Sequence, residues 1–412
     1  MFISLGLCRL PQWRIISKPS PRVYTQRRVR HRLLVNEFGP MLGFDMPMSA
    51  HEQTRMRAPI NLLALNREAM ERLITDFGWP RYRVQQILRW LYKKRIECID
   101  QMTDLSGLER SRLASCAYIA RLRCDRILES ADGTMKFLIR LEDGGIVEAV
   151  LIPDNDRLTL CLSTQVGCTL DCGFCLTGTL GLKRNLDPHE IVDQVLLVQD
   201  RLGPAQRLSS LVLMGMGEPL ANLNATKEAI IRLTNSAWGV GIPARRITLS
   251  TAGFASRLED VAALGVNLAV SLNASTSEQR DRLMPTINRL FPLSTLLEAC
   301  RRYPLPPHRR LTFEYVLLAG VNDTDQDAKR LIKLLAGIRC KINLIPFNEF
   351  AGSQFQRPDE TTVLHFQSVL IQAGFDAFIR KSKGRDVLGA CGQLGRAGHQ
   401  ESLLLTPVSA GC

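Results

Sequence analysis

The chain has 412 residues, of which 45% are hydrophobic and 23% charged, a balance typical of a folded globular protein. That apolar content excludes a chain dominated by disorder, and no run of about 18 uncharged apolar residues offers a transmembrane helix. Lys and Arg number 53 against 40 Asp and Glu, a formal charge of +13. Residues 1–40 carry eight basic side chains and one acid, so the rest of the chain holds +6. A basic body of that size fits a polyanionic partner such as nucleic acid, and it fits a merely basic surface equally well.

Residues 1–56 read as a basic tail, interrupted by five prolines, with Glu37 as its first acid. Two readings apply. One is an organellar transit peptide. The other is an extension upstream of a start at Met41, Met46 or Met48, favoured because no amphipathic helix is visible. No secretory signal precedes the twelve cysteines, so a reducing, cytoplasmic setting is expected. The cysteines then read as metal ligands, catalytic thiols or core residues.

Residues 57–125 read as a small helical domain. In Arg81–Arg95, Val84, Ile87, Leu88 and Leu91 share one helical face. Arg83, Arg89, Lys93 and Lys94 lie opposite, as a solvated face or as contacts to RNA phosphates. Residues 126–157 read as a β-extension: Thr134–Leu141 and Ile146–Ile152 flank Glu142-Asp143-Gly144-Gly145, a hairpin signal.

From 158 to 400 strands and helices alternate. The expected strands are Leu158–Thr164, Ser209–Met214, Ile247–Thr251, Leu268–Leu272, Thr312–Leu318, Lys341–Ile345 and Ala377–Lys381. The expected helices are Pro188–Leu202, Ala225–Asn235, Ala255–Leu264, Ser277–Leu283, Leu293–Arg302, Asp325–Ala336 and Thr361–Ala373. The fold class is therefore α/β. About six β–α units in some 220 residues are too few for a closed eight-fold barrel and suit a partial (βα)6 TIM-like barrel. Residues 401–412 read as a tail.

One segment carries the chemistry. Cys168, Cys172 and Cys175 have C-x3-C-x2-C spacing in the loop after the first barrel strand. Thiolates are soft ligands that suit iron–sulfur clusters or zinc. A structural zinc normally takes four ligands, and only three cysteines cluster here. Three thiolates on a four-iron cluster leave one iron open. Met214-Gly-Met-Gly-Glu-Pro219 ends the next strand, where Gly217 permits close backbone approach and Glu218 can accept from an ammonium.

This pattern resembles the radical S-adenosylmethionine superfamily, whose cluster cleaves that cofactor to a 5′-deoxyadenosyl radical. A closer resemblance, over residues 57–400, is to the dual-specificity adenine C2-methyltransferases of 23S rRNA and tRNA. It rests on Cys161-Leu-Ser-Thr-Gln-Val-Gly-Cys168, Met214–Pro219, Arg246–Thr251, Ser271–Ala274, Lys341–Asn348 and Ala390–Leu394. The resemblance implies a [4Fe-4S] cluster on Cys168, Cys172 and Cys175, and two S-adenosylmethionine molecules per turnover. It implies that Gly217, Glu218, Ser250, Ser271, Leu272, Asn273 and Asn348 contact that cofactor. Cys391 would accept a methyl group. The methylene radical made from it would add to C2, an electron-poor carbon that an ordinary sulfonium methylation does not reach. Glu148 would remove the C2 proton. Cys161 would then attack the Cys391 sulfur and release the product, leaving a disulfide.

Each role has a plainer counterpart. Cys161 on an apolar strand can be core filler, Cys391 can sit in an idle basic loop behind Arg380, Lys381, Lys383 and Arg385, and Glu148 can be the polar side of an edge strand. As a base, Glu148 is expected to be desolvated with a raised pKa. Asn273 departs from the family, since many members carry His there; Asn hydrogen-bonds but carries no proton charge. The implied substrates are adenine 2503 of 23S rRNA and adenine 37 of tRNAs, with an electron donor such as flavodoxin, no membrane partner, and a monomer. The alternatives are a related adenine C8-methyltransferase and a non-catalytic iron–sulfur RNA-binding protein; the latter has no need of Cys161 or Cys391.

Overall fold

The computed structural model describes residues 58–395. The expected basic tail 1–56 and the tail 401–412 lie outside the described residues. Ten strands form one sheet whose spatial order follows the chain. They are β1 Arg123–Glu129, β2 Met135–Arg140, β3 Ile146–Asp154, β4 Arg157–Cys161, β5 Ser210–Leu213, β6 Ile247–Thr251, β7 Asn267–Ser271, β8 Leu311–Leu317, β9 Cys340–Pro346 and β10 Ala377–Ile379. From β1 to β4 the pairing is antiparallel, and from β4 to β10 it is parallel.

Each parallel crossover carries at least one helix, as a strand needs to return on the same side of the sheet. A sheet that always advances in one direction curls toward a barrel. Among the described residues nothing pairs β10 with β4, so the barrel stays open and β4 instead meets the extension through β3. This is the expected partial barrel.

Local chemistry explains the element ends. The helix Pro188–Leu202 starts where Asp187 N–H donates to Glu190 Oε2 at 2.8 Å, a capping arrangement visible in the sequence. The hairpin turn between β2 and β3 forms where expected, with Gly145 N–H donating to Asp143 Oδ1 at 2.9 Å. The strand Arg123–Glu129 and the ribbon Gln165–Gly167 with Leu182–Asn185 are unexpected, and three helical stretches also differ from expectation. The helix expected through Arg95 is α-helical only over Tyr82–Arg89 and widens into a π-helical turn, Trp90–Lys94, ended by Arg95 at φ 53°. The helix expected over Ala255–Leu264 is a 3-10 turn, Ala255–Arg257, leading into Leu258–Ala262. An unexpected helix, Pro285–Leu290, follows Ser277–Leu283.

The helical region at 58–122 is keyed to the barrel by buried charge. Arg232 donates from Nη1 to the Leu63 carbonyl at 2.7 Å and to the Tyr92 hydroxyl at 3.1 Å. Asp193 takes Arg121 Nε at 2.5 Å. Arg83, one of the residues read as a solvated or RNA-facing charge, is instead committed to Glu109 at 2.9 Å and to the Asp104 carbonyl. Among the described residues no helix is long and apolar enough to cross a membrane.

Candidate active site

The C-terminal ends of the parallel strands open into one cavity, the usual position for a site in a β–α barrel. The cysteine loop reaches it because a short antiparallel ribbon, Gln165–Gly167 with Leu182–Asn185, pinches the loop at its base. Cys168, Cys172 and Cys175 line the cavity together with Gly217, Glu218, Ser250, Ser271, Asn273, Asn348 and Cys391. Ten of the thirteen residues singled out by sequence therefore share one wall. Leu272, Glu148 and Cys161 are not among its lining residues. Leu272 has a fully buried side chain, and its amide donates to the Glu314 carbonyl at 3.0 Å.

An apolar cluster of Leu170, Phe174, Ala252, Leu283, Met284, Ile287, Leu318 and Phe347 packs around the three cysteines. Burial pushes the Cys168 thiol up to about 12. Burial also raises Cys172, and the neighbouring Cys175 and Cys168 raise it further. Thiolates in such a place need a bound cation. Three soft thiolates lining one apolar cavity fit an iron–sulfur cluster, whereas a structural zinc site normally takes four ligands.

The neighbouring wall suits an amino acid ligand. Gly217 lies at φ +99°, and a Cβ there would come 2.5 Å from the Gln165 Cβ, so only glycine lets the strands close up. Glu218 accepts from the amides of Leu220 at 2.9 Å and Ala252 at 2.7 Å, and burial raises its pKa to about 7. Asn348 donates to the Cys391 carbonyl at 3.1 Å, while its buried Oδ1 has no partner. Asn273 is more constrained than expected, at φ 56°, with Oδ1 accepting from the Val316 amide at 2.9 Å.

Cys391 and Cys161 are free thiols, and Cys391 lines the cavity together with Arg380. Cys161 is buried at the end of β4; burial raises its pKa to about 12, Cys391 adds to this, and Arg380 opposes it. Cys391 is the first influence raising the pKa of the half-buried Arg380 guanidinium. Arg380 thus connects the two sulfurs electrostatically.

Glu148 is fully buried on β3. It is not an isolated acid: Lys136 Nζ lies 3.3 Å from its Oε2, and the Gly395 amide donates to the same oxygen at 3.1 Å. Its Oε1 has no partner. Lys136 also donates to the Leu388 carbonyl at 3.2 Å, tying the pair to the loop that bears Cys391. Burial lowers the Lys136 pKa and Glu148 opposes that. Sequence reasoning missed Lys136. The signal was available: β2 pairs Leu138 with Glu148, which puts Lys136 on the diagonal, within reach of a long side chain. Glu314, also on the cavity wall, was missed too; it is the single charge in the apolar run of β8.

Residues 60–119 match the family described as "Ribosomal RNA large subunit methyltransferase N-terminal domain", and residues 162–335 match "Radical SAM superfamily". A protein of Syntrophus aciditrophicus (strain SB) named "Dual-specificity RNA methyltransferase RlmN" is 46% identical over 345 residues, which is 84% of this chain and 99% of that one. This chain belongs to the RlmN family of radical S-adenosylmethionine RNA methyltransferases. A Geobacter sulfurreducens protein of the same name is 48% identical over 340 residues, 82% of this chain and 93% of that one. The crystal structure of a radical SAM methyltransferase from Sphaerobacter thermophilus superposes with a TM-score of 0.77 at 41% identity, covering 82% of this chain and 99% of that one. Family membership makes the chain an enzyme and implies an iron–sulfur cluster and use of S-adenosylmethionine.

Proposed function

We propose that this enzyme methylates C2 of adenine 2503 in 23S rRNA and of adenine 37 in tRNAs, using two S-adenosylmethionine molecules per turnover. The observation that carries the reading is the placing of Cys391 on the cavity of the three cluster cysteines. A cluster held by Cys168, Cys172 and Cys175 supplies, when bound, the electron that cleaves S-adenosylmethionine to methionine and a 5′-deoxyadenosyl radical. Glu218 receives the amino group of that cofactor; Gly217, Ser250, Ser271, Asn273 and Asn348 line its bed, and Leu272 positions the backbone between two of them.

Cys391 takes a methyl group on sulfur, then loses one hydrogen atom from it. The 5′-deoxyadenosyl radical takes that hydrogen atom, the methylene carbon bonds to C2, and the adduct then loses the C2 proton and one electron, which the oxidised cluster held by Cys168, Cys172 and Cys175 would take back. Glu148 accepts that proton through its unpartnered Oε1. Cys161 attacks the Cys391 sulfur, the sulfur–carbon bond breaks, the freed carbon is reprotonated to a methyl group, and a Cys161–Cys391 disulfide remains. External thiols reduce it. A cytoplasmic monomer served by a donor such as flavodoxin completes the reading.

Peptide mass spectrometry tests it. After incubation with S-adenosylmethionine and reductant, Cys391 should carry one methyl group. In Cys161→Ala a protein–RNA adduct that survives denaturation should accumulate. An unmodified Cys391 in an enzyme that methylates RNA contradicts the mechanism.

A further inference from the structure

Two arginines in the barrel have essentially no exposed surface, and they are held differently. Arg232 pairs with Glu228 at 2.8 Å. Arg280, on the helix Ser277–Leu283, makes hydrogen bonds to neutral groups only. Its Nη1 donates to Asn288 Oδ1 at 3.0 Å and to the Phe291 carbonyl at 3.2 Å, its Nη2 donates to the Ala252 carbonyl at 2.5 Å, and its Nε has no partner. No carboxylate bonds to the guanidinium directly; Asp281 meets it through Asn288, whose Nδ2 donates to Asp281 Oδ1 at 2.8 Å, and a fully buried guanidinium so held is costly unless further opposite charge lies nearby.

The direction of that charge is readable. Ala252 lines the same cavity as Cys172 and its amide is one of two that support Glu218, while the Gly173 amide, next to Cys172 in the chain, donates at 3.0 Å to the carbonyl of Leu283 at the end of the Arg280 helix. The next residue, Gly253, sits at φ +124°, and a Cβ there would come 2.7 Å from Arg280 Nη2. The backbone is therefore pressed onto the guanidinium at the cavity wall. Leu170, Phe174, Leu283 and Met284 keep this side of the site apolar, so a charge acts with little screening. Burial lowers the Arg280 pKa to about 10, opposed first by Cys172 and then by Asp281 and Cys300.

We propose that Arg280 is the buried counter-charge of the cluster held by Cys168, Cys172 and Cys175, and that it makes one-electron reduction of that cluster easier. The proposal rests on the cluster assignment above. A cluster carried by three thiolates gains negative charge when it accepts an electron. A fixed cation nearby stabilises the reduced form more than the oxidised form. Arg280 acts through the cluster and is a positioning residue, not a catalytic one.

The test is a redox titration of the reconstituted full chain, followed by electron paramagnetic resonance, in wild type, Arg280→Gln and Arg280→Lys. Glutamine keeps a donor for the Ala252 carbonyl and loses the charge; lysine keeps the charge. At equal iron content, the expected result is a more negative midpoint for the Gln variant and a Lys variant close to wild type. A Gln variant at the wild-type midpoint overturns the proposal. If the Gln variant takes up no iron, the Lys variant decides: a midpoint close to wild type upholds the proposal, and a more negative midpoint at equal iron content overturns it. A wild-type chain that forms no cluster fails at the earlier step, the cluster assignment itself.

Discussion

The two halves of the sheet deliver chemistry in different ways. The parallel half, β4 to β10, places its groups on loops and strand ends, and ten of them meet at one cavity. The antiparallel half, β1 to β4, places Glu148 in the middle of a strand, fully buried and paired with Lys136. Loop-borne groups face ligands directly. A strand-borne acid is held by its neighbours, and its environment is set by a partner two positions away across the hairpin. The lesson is that the barrel end supplies access while the extension supplies a fixed, desolvated carboxylate linked through Lys136 and Leu388 to the Cys391 loop.

The sharpest break comes on the parallel side. Cys391→Ala is expected to abolish RNA methylation while leaving the absorbance of the cluster unchanged, since the metal ligands are untouched. Survival of methylation would remove Cys391 from the mechanism. On the antiparallel side Glu148→Gln is expected to slow turnover by about 10²–10⁴-fold, the usual worth of a general base, with Cys391 still methylated. Rapid-quench assays of product and of the methylated peptide separate the two effects.

Lys136→Met probes the pairing itself. It leaves Glu148 buried without its cation, and the expected loss is about 3–5 kcal/mol of stability, read by chemical denaturation. An unchanged midpoint would mean that the pair contributes nothing to the fold. The smallest effect belongs to Glu218. Its folded pKa, about 7, lies above the ordinary 4.5, so between those values the folded state binds more protons than the unfolded state. Stability of the metal-free protein should therefore fall as pH rises from about 4.5 to 7, by no more than about 3 kcal/mol, and Glu218→Gln should flatten that slope.

Much of this architecture is written in the sequence, for physical reasons that differ by element. The Asp187–Glu190 cap and the Asp143-Gly144-Gly145 turn are local, so adjacent residues suffice to reveal them. The cysteine loop is legible because its spacing has few chemical uses. The π-helical turn at Trp90–Lys94 is not, since its apolar spacing looks like continued α-helix. The ribbon Gln165–Gly167 is three residues long and exists only because Leu182–Asn185 closes on it. The partners of Glu148 and Arg280 come from other segments: Lys136 from the next strand, and Asn288 from the short helix that follows. A single acid or a single arginine in a string of residues does not announce what faces it.

The central claim is that this site puts a methyl group on C2 of adenine in RNA. The most direct measurement is mass spectrometry of nucleosides from unmodified 23S rRNA or tRNA, incubated anaerobically with the reconstituted enzyme, S-adenosylmethionine and a reductant. The account predicts 2-methyladenosine, dependent on Cys391. Appearance of 8-methyladenosine would contradict the regiochemistry, and absence of both, with the cluster intact and S-adenosylmethionine cleaved, would contradict the assigned substrate.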